Sequence, residues 1–262
     1  MAITLRSRRE IELMRRAGAV VADVLLKLQE IARPSVSTAH LDAVAAEMTS
    51  KAGAQPLFKG VRSPQARTPF PGVICASINE QVVHGIPSEH VKLKEGDILS
   101  IDFGVRLDGY CGDAAVTVAI GEISGENRRL MDVTRQALDI AIARAAPGVR
   151  WSAIAGEMQR MAESAGFSVV REFVGHGIGR QMHEEPRVPN FVSKELLADD
   201  IVLAEGMVLA VEPMINGGTS DVRTLKDGWT VVTRDGRCSA HFEHTIAVTG
   251  DGCEVLTAKQ NI

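Results

Sequence analysis

Apolar residues recur at helical spacing over two long stretches and two shorter ones, and each pair leads into runs with strand-like residues. In the first stretch Ile11, Met14, Val21, Val24, Leu25, Leu28 and Ile31 share one face of a helix over about residues 8–32. Ser7-Arg8-Arg9-Glu10 ahead of them is a capping-box pattern. Pro34 and Gly53 bracket a second helical pattern. A third runs over about 125–145 and stops at Pro147-Gly148, and Pro147 and Gly166 bracket a fourth.

The strand-like runs repeat as well. Residues 95–102 read E-G-D-I-L-S-I-D and residues 205–212 read E-G-M-V-L-A-V-E, so Asp102 and Glu212 occupy matching places 110 residues apart. A His-Gly-Ile triplet begins at His84 and again at His176, and Asp113 and Glu243 each open a further β-like run. Both halves therefore read helix, helix, strands, with polar residues in the order His, acid, acid. The expectation is a duplicated α+β unit, roughly 8–121 and 125–250, packed as one catalytic domain over 1–262, since no Ser/Gly/Pro-rich linker separates the halves.

Asp108-Gly109 lies between two β-like runs and signals a two-residue hairpin turn. That register opposes Asp113 to Gly104 and puts Asp102, two residues from Gly104, on the same face, with backbone positions roughly 7–8 Å apart. Leu99, Ile101 and Phe103 then point to the other face. Two carboxylates beside apolar strand sequence are costly to bury unless cations meet them. A Lys or Arg would serve for one Asp. Glu212, Glu243 and His176 in matching positions of the second half make four carboxylates and an imidazole, a donor set suited to Mn, Fe, Co or Zn at paired sites. His176 and His183 fall in Gly- and Pro-punctuated, loop-like sequence, where side chains can be aimed at a substrate. His40, His90, His241 and His244 have weaker claims.

Composition narrows the class without changing this picture. Of 262 residues, 45% are hydrophobic and 24% charged, and the net charge of −4 gives no reason to expect general nucleic-acid binding. Arg6, Arg8, Arg9, Arg15 and Arg16 are a local exception, read as the solvated face of a helix in preference to an RNA contact. Cys75, Cys111, Cys238 and Cys253 include no C-x-x-C pair, which fits reduced thiols in a cytoplasmic protein. With no signal-peptide core and no 18-residue apolar run, neither export nor membrane insertion is expected.

Taken together, Cys75-Ala-Ser-Ile-Asn-Glu, Val83-His84-Gly85-Ile86-Pro87, Ser100-Ile101-Asp102, Tyr110-Cys111-Gly112-Asp113, Gly175-His176-Gly177-Ile178-Gly179, His183-Glu184, Val188-Pro189-Asn190, Val211-Glu212-Pro213 and His241-Phe242-Glu243-His244-Thr245 resemble type I methionine aminopeptidases of the bacterial kind, peptidase family M24. The chain shows neither a cysteine-rich N-terminal zinc extension nor the large insertion after His183 that marks type II enzymes. The resemblance implies a pseudo-twofold, duplicated α+β "pita-bread" (creatinase/aminopeptidase-like) fold, a curved antiparallel sheet flanked by helices. It implies two divalent metal ions (Co, Mn, Fe or Zn) held by Asp102, Asp113, His176, Glu212 and Glu243, with Asp113 and Glu243 bridging. His84 and His183 would contact substrate near the scissile bond, and Glu212 would act as acid and base. Phe70, Cys75, Met182 and Trp229 would line a methionine pocket, with Phe70 where Tyr is familiar, Met182 where Phe is common, and a longer, less aromatic segment over 61–70. The implied activity is hydrolytic removal of the initiator methionine from nascent chains, preferring a small second residue, by a cytoplasmic monomer making transient ribosome contact. Two other readings fit the sequence less well. Prolidases and X-Pro aminopeptidases usually carry an extra N-terminal domain and an Arg near the last ligand, where this chain has His244-Thr245. Non-enzymatic binding proteins on the same scaffold typically lose ligands that are all present here.

Overall fold

The Ser7 pattern caps helix α1 (Arg8–Ile31): Ser7 Oγ accepts from the Glu10 N–H, and the Glu10 side chain accepts from the Ser7 N–H at 2.9 Å. The structure, a computed structural model, describes residues 3–258. Helices α2 (Thr38–Lys51), α3 (Gly125–Arg144) and α4 (Trp151–Ser164) fall inside the bracketed patterns, and a short α5 (Lys194–Ala198) follows later. Ser37 and Ser124 cap α2 and α3 through their side chains.

The first half contributes strands β1 (Gln55–Pro56), β2 (Cys75–Ile78), β3 (Gln81–Val83), β4 (Ile98–Leu107) and β5 (Tyr110–Ala119). The second contributes β6 (Ser168–Val169), β7 (Gly175–Gly177), β8 (Glu184–Val188), β9 (Val208–Val211), β10 (Met214–Asn216), β11 (Val222–Thr224), β12 (Val231–Thr233), β13 (Ser239–His241), β14 (Glu243–Thr249) and β15 (Gly252–Val255). Nine strands form one antiparallel sheet in the order β1-β4-β5-β14-β9-β7-β8, with β2 also on β4 and β15 also on β14. The two halves meet at its centre, where β5 pairs with β14. Two smaller sheets, β13-β10-β6 and β11-β12-β3, complete the fold.

One face of the large sheet is apolar and covered by helices. Leu99, Ile101, Phe103 and Val105 of β4 pack with Val21, Val24, Leu25 and Leu28 of α1. Leu209, Val211, Ile246 and Val248 pack with Leu130, Leu138, Trp151, Ile154 and Met158 of α3 and α4. All of these are buried, so the period-2 alternation of the strands leaves the opposite face for polar groups. No helix among the described residues is long and apolar enough to cross a membrane.

Among the N-terminal arginines, Arg8, Arg9 and Arg16 are exposed, as a solvated helix face requires, whereas Arg6 and Arg15 depart from it. Arg6 lies before α1 and is buried, Arg15 pairs with Glu254 across the fold, and Arg16 pairs with Asp108 at 2.8 Å. All four cysteines are free, Cys75 and Cys111 buried.

Candidate active site

Strand register assembles the acids. Leu107 pairs with Tyr110 across Asp108 and Gly109, both at positive φ (50° and 81°), as a type I′ turn requires. The ladder then sets Gly104 against Asp113 and Asp102 against Ala115. Ala115 also faces Glu243 on β14, so Asp102, Ala115 and Glu243 form a row across three strands. His244 opposite Val211 brings Glu212 level with Glu243, and His176 opposite Ala210 lies two residues along the same face. Parity thus delivers all five polar groups to the face that the helices leave free. Gly104 makes room for one of them: a Cβ there would stand 2.8 Å from Asp113 Oδ1.

The ligand-capable atoms of Asp113, His176 and Glu243 lie within 4.8 Å of one another, and all three residues are buried. Asp102 Oδ1, Asp113 Oδ1 and Glu243 Oε1 are buried without a hydrogen-bond partner. Glu212 sits between two imidazoles, with Oε1 3.6 Å from His176 Nε2 and Oε2 3.8 Å from His241 Nε2. His176 Nδ1 lies 2.9 Å from the Gly177 carbonyl; as donor there it leaves Nε2 a free lone pair. The set is rich in unpartnered anionic oxygen with one imidazole, so the residues present fit divalent cations.

The cluster forms the floor of a cavity of about 120 Å³. Its apolar wall is Phe58, Phe70, Cys75 and Trp229, all buried, with Met182 packed beside them. Phe70 and Trp229 meet edge to face at 5.3 Å, and the indole N–H of Trp229 donates to the Thr68 carbonyl at 3.0 Å. His84, in a left-handed conformation (φ 60°), packs edge-on against Phe173 at 5.5 Å and Trp229 at 6.5 Å. His183 stands beside His176, ring centroids 4.3 Å apart. Every residue expected from the sequence to act at the site therefore lines this one cavity.

A model of metallopeptidase family M24 matches residues 12–250. The chain belongs to this family. Within M24 it is similar to the methionine aminopeptidase of Aquifex aeolicus, 45% identical over 98% of this chain and 99% of the relative. Methionine aminopeptidase 1 of Bacillus subtilis is 46% identical over 97% and 99%, and the methionine aminopeptidase of Escherichia coli K12 is 40% identical over 100% and 96%. Among solved structures, a methionine aminopeptidase from Thermotoga maritima superposes with a TM-score of 0.92 at 40% identity, covering 98% of this chain and 100% of that one. A prolidase from Pyrococcus furiosus shares the fold alone, with a TM-score of 0.73 at 20% identity, the chain spanning 66% of it. The expected pseudo-twofold pita-bread fold is the one observed.

Electrostatics set this M24 site apart from the rest of the molecule. Burial pushes the Asp102 carboxyl up to about 7, and burial followed by the neighbouring carboxylates holds Asp113, Glu212 and Glu243 well above the usual range. Burial lowers His84 and His176 to about 4 and His241 to about 3, and lowers His183 at the cavity mouth, so the imidazoles are neutral at pH 7.

Sequence reasoning assigned no role to four cavity residues and undervalued a fifth residue beside them. Phe58, Val61, Val83 and Phe173 line the cavity, and an apolar side chain in such sequence reads equally well as core packing, even for Val83 beside His84. His241, given only a weak claim, is buried against Glu212. Its place two residues before Glu243 was the available clue, because that spacing shares a face wherever the strand stays extended.

Proposed function

We propose that the protein is a metal-dependent methionine aminopeptidase that removes N-terminal methionine from nascent chains with a small second residue. The observation carrying this reading is the buried, unpartnered carboxylate cluster with His176 at the floor of an apolar cavity. In this reading Asp102, Asp113, His176, Glu212 and Glu243 would hold two divalent ions, Co, Mn, Fe or Zn. When bound, such ions supply Lewis acidity and bring the pKa of water toward about 7.

The chain's own residues do the rest. The wall of Phe70, Cys75, Met182 and Trp229 takes the thioether side chain, which suits an unbranched, polarisable group. The Glu212 carboxylate takes the proton of the attacking water and returns it to the leaving amide nitrogen. His84 and His183, neutral at pH 7, donate N–H to the scissile group as charge develops on its oxygen. The duplicated halves act as a single catalytic domain, working as a cytoplasmic monomer with transient ribosome contact.

Steady-state kinetics on peptides that vary only the first residue, with metal restored after chelation, test the reading. Met should exceed Leu and Pro in kcat/KM. Equal rates with Leu or Pro would remove the methionine assignment while leaving a metal hydrolase.

A further inference from the structure

Arg6 is the least expected buried residue in the molecule. Its side chain is 6% exposed, although it lies just before the solvent-facing start of α1. The main chain pins it, since its N–H donates to the Gly206 carbonyl at 2.7 Å. Its guanidinium pairs with the Glu184 carboxylate and lies 3.8 Å from Glu10. It also covers Gly179 so closely that a Cβ at that glycine would overlap it. A buried arginine needs a fixed geometry to offset its desolvation. This one spends its charge on a carboxylate adjacent to His183.

Glu184 begins β8, and its other oxygen accepts the Gln181 N–H at 3.0 Å. Residues 178–183 form the turn from β7 to β8, and this one carboxylate ties Arg6 to that turn from within. A second brace reaches the turn from outside. Arg180 donates to Tyr110 Oη at 2.7 Å and stacks over its ring, and Tyr110 donates to Glu10 at 3.0 Å. The Cys111 N–H donates to the Gly179 carbonyl at 2.8 Å. Met182 and His183, both in the cavity wall, project from the braced segment. The aim of the His183 ring therefore follows the turn's backbone.

We propose that Arg6 is a positioning residue for the reaction: acting through Glu184, its guanidinium fixes the 178–183 turn and thereby the placement of the His183 imidazole. The inference rests on the proposed contact of His183 with substrate. Misplacement of a reacting group by about 1 Å can cost about 10²-fold in rate. A structural pin with no tie to His183 would instead act on folding and leave turnover per folded, metal-loaded site unchanged.

A double-mutant cycle on the metal-loaded enzyme separates these roles. Arg6→Met should lower kcat by about 10-fold or more at unchanged metal stoichiometry, whereas in a His183→Ala background the same change should cost less than about 2-fold. Arg6→Lys, which keeps the charge without the planar fork, should fall between. Glu184→Gln, which retains an acceptor for Gln181 but loses the ion pair, gives the same readout if Arg6→Met does not fold. Equal losses in both backgrounds, or no loss of kcat, would overturn the proposal. A His183→Ala enzyme with full kcat would instead overturn the substrate contact on which it rests.

Discussion

Replacing a proposed metal ligand should stabilise this protein when the metal is absent. The perturbation is Asp102→Asn, compared with the parent chain after chelation. Burial raises the Asp102 carboxyl from 3.8 to about 7. A carboxyl whose folded pKa lies above its unfolded value costs stability, and the cost grows from about pH 4 and is complete above about pH 7. At about 1.36 kcal/mol per pH unit that shift corresponds to about 4 kcal/mol. Asp102 faces a cavity that admits water, so about half of this, about 2 kcal/mol, is the expected cost at pH 8. Asparagine keeps the shape and removes the charge. For a chain of this size about 2 kcal/mol is about 4–8 °C in melting temperature.

The window matters because other groups oppose. Burial lowers His84, His176 and His244 to about 4 and His241 to about 3, so each imidazole contributes stability present above about pH 6.5 and lost as pH falls through its folded pKa. The metal-free parent should therefore lose stability above about pH 6.5, where the imidazoles no longer offset the carboxylates. Thermal melts of chelated parent and Asp102→Asn at pH 6 and pH 8 read the difference directly. Saturating Mn²⁺ should reverse the order, because metal stabilises the chain that binds it more tightly. A chelated Asp102→Asn protein that melts below the parent at pH 8 would refute the reasoning, since the carboxylate would then be favourably partnered without metal.

Further outcomes follow from the same site. Chelation should abolish peptidase activity and a divalent transition metal restore it; full activity in protein shown metal-free by elemental analysis would sink the mechanism. His183→Ala should retain metal stoichiometry and lower kcat by roughly 10²-fold or more; lost stoichiometry would make His183 a ligand. Met182→Ala should weaken kcat/KM for Met peptides by an amount worth about 1–3 kcal/mol while leaving metal content alone, and an unchanged ratio of Met to Leu hydrolysis would show that Met182 does not shape the pocket.

Most of the sheet face was legible because one local signal fixed its register. Asp108-Gly109 could close a two-residue turn in one way, and period-2 alternation then placed Asp102 and Asp113 together. The internal repeat extended this to Glu212 and Glu243, although nothing local says that β5 and β14 are neighbours; that pairing is a tertiary fact. Arg6 was misread for the complementary reason. Helical periodicity reports a residue's face on its own helix, whereas Arg6 is buried by Gly179 and by Glu184, 178 positions along the chain. His241 lay between these cases, with its parity to Glu243 visible but no local sign that Glu212 would stand 3.8 Å from its ring.

Where the fold leaves polar atoms unsatisfied is itself informative. Native interiors pair nearly all buried donors and acceptors, and local inconsistency gathers where function requires it. Eight side-chain atoms are buried without a partner among the described residues, and four of them, on Asp102, Asp113, His241 and Glu243, belong to one cluster. A stability-driven interior would have paired or replaced these groups. The surrounding ladder is well satisfied by contrast: Thr245 Oγ1 donates to the Asp113 carbonyl at 2.8 Å, and Thr117 Oγ1 donates to the His241 carbonyl at 2.8 Å. The backbone that carries the cluster is thus bonded firmly while the side chains it presents are left open. Such an arrangement holds the carboxyl and imidazole groups in place before any cation arrives, which is why the proposed metal binding should be tightly linked to stability.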